Sequence, residues 1–174
     1  MYLELYQKMY SSKKRTQKNI LEVGMYKGGS IQLWDDFFTE DTIYELDSIN
    51  MTDVMNKISN EDDLYKSIDI NEFDTNITKD ECFISDFLSK KIKCDFRMDS
   101  NNHSLENMKK FIKIFADRLT YDGILIIEDV QNKKWIEILK EEVPEYLKEY
   151  IEVYDLNSKN DYNDIVFVIN KKQQ

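Results

Sequence analysis

The 174-residue chain has only two cysteines, four glycines, one proline and one histidine. The cysteines, Cys82 and Cys94, have a spacing that matches no metal or redox motif, so two reduced thiols are expected. No apolar run approaches the roughly 20 residues that a membrane helix needs. The opening stretch MYLELYQKMYSSKKRTQ has no apolar signal-peptide core. Both absences predict a soluble chain without a membrane partner, in the cytoplasm (the host cytoplasm for a viral source). Positive charge is also scarce: 24 Lys and Arg against 34 Asp and Glu, a net charge of −10. The single basic cluster, Lys13-Lys14-Arg15 with Lys18, is short and local. A face for nucleic-acid phosphates is normally basic, so no nucleic-acid partner is expected. A cationic or neutral small ligand suits an acidic surface better.

What is present is enough for a core. A single domain, 1–174, can bury about two thirds of its unfolded surface without disulfides. Aromatics make up 13% of the chain, which argues against disorder. The richness in Asn, Lys, Ile, Asp and Tyr suggests an AT-rich genome. Three of the four glycines, Gly24, Gly28 and Gly29, fall in one short window, and Gly123 stands before an apolar run. Glycine kept for one window implies an unusual backbone there. Pro144 falls in a late helical segment.

Hydrophobic spacing gives alternating elements. Helices are predicted over about 2–14 (Leu3, Tyr6 and Tyr10 on one stripe), 30–38, 50–60, 105–119 (Met108, Ile112 and Phe115 in register) and 135–142. Strands are predicted at 19–23, 42–46, 65–70, 94–98, 123–127, 150–154 and 165–169. Residues 71–81 read as a surface insertion. Strands alternating with helices predict an α/β, Rossmann-like doubly wound sheet of about seven strands, mostly parallel. The last two strands are joined too briefly for a parallel crossover and should pair antiparallel.

Ligands of such sheets sit beyond the carboxyl ends of the strands. Here those ends carry acids: Glu22, Asp47, Asp99 and the pair Glu128-Asp129. A dinucleotide would want Gly-x-Gly-x-x-Gly and no acid beside its pyrophosphate. The window Glu22-Val23-Gly24-Met25-Tyr26-Lys27-Gly28-Gly29 departs from that spacing, and Glu22 repels phosphate. S-adenosylmethionine fits instead, with its ammonium, sulfonium and ribose diol. Asp47 is placed to accept hydrogen bonds from the ribose, and the glycines let the backbone approach closely.

Residues 20–30 resemble motif I of class I S-adenosylmethionine-dependent methyltransferases. More narrowly, they are similar to the branch of macrocin-type sugar O-methyltransferases and cephalosporin-hydroxylase-like proteins. Thr42–Asp47 resembles that branch's second strand, Phe96–Asn107 its histidine-containing segment, and Asp122–Gln131 its Glu-Asp motif. The resemblance implies that Glu22, Gly24, Tyr26, Gly28, Gly29, Ser30, Asp47 and Asp69 bind the cofactor. It implies magnesium on Asp99, Glu128 and Asp129, and His103 as general base toward a sugar or glycan hydroxyl. Ser100 and Asn101-Asn102 depart from the family pattern: Ser100 stands where a second acid is usual, which leaves the metal requirement open. Two readings therefore stand, an O-methyltransferase and a methyltransferase-like binding or scaffold domain without catalysis. The chain is short for the branch, so another subunit, as in a homo-oligomer, or another domain is expected to complete the substrate pocket.

Overall fold

The computed structural model describes residues 2–10, 19–23, 42–46, 93, 95–98, 104–156 and 164–171. The elements expected at 30–38, 50–60, 65–70 and 71–81 lie outside them, as do both cysteines. Three helices are described, α1 (Tyr2–Tyr10), α2 (Leu105–Phe115) and α3 (Lys133–Glu142). Six strands accompany them, β1 (Asn19–Val23), β2 (Thr42–Leu46), β3 (Asp95–Met98), β4 (Ile124–Ile127), β5 (Ile151–Asp155) and β6 (Ile165–Asn170). Among the described residues the strands form one sheet in the order β2-β1-β3-β4-β6-β5. β2, β1, β3 and β4 run parallel, and β6 is antiparallel to both β4 and β5. The expected antiparallel pair is therefore present, with Val153 opposite Phe167.

β4 and β6 are buried along their whole length because both faces of the sheet are covered. Alternation sorts their side chains. Leu21, Leu125, Ile127 and Phe167 face α2 and α3, where Met108, Ile112, Phe115 and Leu139 meet them. Ile20, Ile124, Ile126, Val166 and Val168 face α1.

The local signals explain most element ends. Ser104 caps α2: its hydroxyl accepts from the Asn107 backbone N–H at 3.3 Å. Asn132 caps α3 in the same way, accepting from Lys134 N–H at 2.9 Å, so α3 starts earlier than the apolar spacing suggests. The predicted helix over 105–119 divides. It tightens into a 3-10 turn at Ala116–Arg118, and Leu119 turns extended to reach the core. Pro144 does not sit inside a helix. It separates α3 from a 3-10 turn at Glu145–Tyr150, as its missing N–H favours. On α1 the expected stripe is corrected: Leu3 is exposed, and Leu5, Tyr6, Met9 and Tyr10 are buried. Among the described residues no helix is long and apolar enough to cross a membrane.

Candidate functional site

The strand order fixes where a ligand crevice opens. The chain runs outward from β1 to β2 on one side and from β3 to β4 on the other, so the order reverses between the neighbours β1 and β3. Ligands of open α/β sheets lie outside the carboxyl ends of the strands at such a point. Val23, Met98 and Ile127 mark that rim.

Glu22 lies one residue short of it. In register it stands beside Glu45 of β2 and Arg97 of β3. Its exposure is 0%, and alternation with Ile20 puts it on the face that α1 covers. A carboxylate is rarely buried this completely in a strand that otherwise reads as core.

Glu128 and Asp129 leave β4 on the same rim. Asp129 has φ of 52°, left-handed backbone that is uncommon for a residue with a side chain and concentrates at functional sites. Glu128 is only 4% exposed. Burial pushes its carboxyl pKa well above the usual range, and the charges of Asp129 and Asp164 push it further. Asp164, just before β6, arrives because β6 returns antiparallel beside β4, with Phe167 opposite Ile127. The backbone N–H of Val130 donates to the Ile165 carbonyl at 3.0 Å and ties the two segments. From α1, the Tyr2 hydroxyl donates to Asp164 through a short contact and reaches Asp129 Oδ1 at 3.2 Å. Burial, that bond and the surrounding carboxylates all raise the phenol's pKa, so Tyr2 keeps its proton.

Of the residues expected at the site, the structure thus places Glu22, Glu128 and Asp129 on one rim. Gly24, Tyr26, Gly28, Gly29, Ser30, Asp47, Asp69, Asp99 and His103 lie outside the described residues, although Ser104, next to His103, caps α2. Tyr2 and Asp164 were not legible as site residues, since nothing in their local sequence marks them.

The described acids do not fit magnesium. Among the described residues no group of three His, Cys, Asp or Glu side chains could hold a metal ion. The Tyr2 hydroxyl engages an oxygen of Asp129 and one of Asp164, and burial penalises the charged form of Glu128 that a hard cation needs. The assignment of magnesium to Glu128 and Asp129 therefore finds no support among the described residues.

A buried carboxylate at the carboxyl end of β1, at the switch point, does suit a cationic, phosphate-free cofactor. Solved structures share this architecture. The METTL16 methyltransferase domain superposes with a TM-score of 0.67 at 14% identity, over 99% of this chain and 67% of that one. This is the methyltransferase fold. An rRNA methylase from Streptococcus thermophilus gives a TM-score of 0.62 at 10% identity, over 97% of this chain and 95% of that one. The N-methyltransferase NodS from Bradyrhizobium japonicum gives 0.60 at 13%, over 98% and 93%. No protein-family model matches the sequence, and neither does any curated protein. The similarity at these identities is one of fold, and the macrocin-type branch lies beyond what it shows. One expectation is overturned. A methyltransferase fold carried over nearly the whole chain by an rRNA methylase removes the ground for excluding a nucleic-acid partner. Net charge is a sum over the surface and does not describe the one face that an acceptor meets.

Proposed function

We propose that this chain is an S-adenosylmethionine-dependent methyltransferase. The observation that carries the reading is the fully buried Glu22 at the carboxyl end of β1, on the switch point of a sheet with the methyltransferase fold. In this reading Glu22 and the window Gly24, Tyr26, Gly28, Gly29 and Ser30 receive the amino-acid end of the cofactor. Asp47 accepts from its ribose, and Asp69 also contacts the cofactor. When bound, the cofactor supplies a methyl group on a sulfonium. The chain's own residues align the acceptor oxygen with that methyl, keep water away and move one proton. His103 takes the proton from the acceptor hydroxyl within hydrogen-bond reach.

The finer reading, a sugar or glycan hydroxyl as acceptor, is supported by the resemblance of 96–107 and 122–131 to the macrocin-type branch. Calorimetry with S-adenosylmethionine and S-adenosylhomocysteine tests the enzyme reading. Micromolar-range binding is expected, and no heat with either would leave a methyltransferase-like scaffold domain. A methyl-transfer screen over sugar nucleotides, nucleosides and RNA oligonucleotides then tests the acceptor. Transfer to RNA alone would replace the sugar reading.

A further inference from the structure

Tyr2 has a fixed place. The buried Leu5, Tyr6, Met9 and Tyr10 hold α1 against the sheet, and the Tyr2 ring lies 6.1 Å from that of Tyr6, centroid to centroid. From there its hydroxyl meets Asp164 and, at 3.2 Å, Asp129. These acids sit on the segment leaving β4 and the segment entering β6, and the Val130 to Ile165 backbone hydrogen bond lies directly beside both. A phenol carries one proton. Two carboxylates gathered around one oxygen repel each other, partial burial strengthens that repulsion, and the shared hydroxyl proton offsets part of it. Asp129 also holds a left-handed backbone, which an aspartate tolerates better than most side chains.

We infer that Tyr2 is a positioning residue: its hydroxyl, shared by Asp129 and Asp164, fixes the Asp129 carboxylate on the carboxyl rim and makes α1 a wall of the site. That this wall faces an acceptor rests on the methyltransferase reading. The hydrogen-bond role does not.

Amide exchange on the full chain tests it. Tyr2→Phe keeps the ring and removes the hydroxyl. Exchange of the Val130 amide should quicken by about tenfold, while the amides of α2 stay within about twofold of wild type. Adding Asp164→Asn to Tyr2→Phe removes one of the facing charges and should return Val130 to within about threefold of wild type. An unchanged Val130, an equal acceleration across Val130 and α2, or a double variant that is not rescued would each overturn the assignment. Where Tyr2→Phe alone does not fold, the double variant should, and its failure to fold counts against the proposal as well. Calorimetry with S-adenosylhomocysteine on the wild type separates the two readings. No heat alongside a local Val130 response defeats the methyltransferase reading alone, and heat without that response defeats the positioning role alone.

Discussion

The carboxylate of Asp95, the residue that opens β3, accepts from the backbone N–H of Ile124, the residue that opens β4, at 3.2 Å. The same oxygen accepts from the Thr120 hydroxyl at 2.9 Å. The pair pins the amino ends of two parallel strands, opposite the candidate site, and so sets the level at which their carboxyl ends form the rim.

Asp95→Ala should destabilise the chain by about 2–4 kcal/mol, because two donors in a largely buried place lose their acceptor. Gly123→Ala should also destabilise it. An added Cβ would lie 2.8 Å from Thr120 N and 2.9 Å from Asp95 Oδ1, closer than side-chain carbons come. Denaturant melts with a common slope check both, and a loss below about 0.5 kcal/mol for Asp95→Ala would remove its clamping role.

Stability should fall as pH rises through the Glu128 titration. The folded chain holds this proton more tightly than the unfolded chain, whose carboxyl titrates near 4.5. Below that value the stabilising effect is fully present, and it is lost as pH climbs through the raised folded value. Glu128→Gln should flatten this part of the profile. Thermal melts from acid to neutral pH measure the difference, and parallel profiles would show that Glu128 titrates normally.

Ser104→Ala should cost about 1 kcal/mol, the usual worth of a helix N-cap, by releasing the Asn107 N–H. Ser104→Asp should retain most of the stability, since a carboxylate caps equally well and favours the positive end of the helix dipole. Chemical denaturation of the two variants separates capping from a loss of packing.

With Asp47 accepting from the ribose as proposed, Asp47→Ala should weaken S-adenosylhomocysteine binding by about 1–3 kcal/mol. His103→Ala should leave that affinity nearly unchanged and lower turnover by roughly 10²–10⁴-fold, the worth of a general base. Near-normal turnover in His103→Ala would leave catalysis to alignment alone.

The sequence by itself determined the elements whose causes are local. Continuous apolar runs became β4 and β6, the i, i+4 spacing of Met108 and Ile112 became α2, and Ser104 became its cap. The short connection between β5 and β6 made them antiparallel, and Glu22, Glu128 and Asp129 fell on strand ends as their positions predicted. Periodicity was less reliable on α1, where two overlapping stripes compete and contact with the sheet favours Leu5 and Met9 over Leu3. Only the tertiary structure decided that Tyr2 meets Asp164, 162 positions away. That contact depends on β6 inserting between β4 and β5 and on α1 lying across the opposite face from α2 and α3. Local pattern encodes which side of an element is apolar, whereas strand order and helix placement follow from burying all those sides at once, and a hydrogen bond between remote residues exists only after that choice is made.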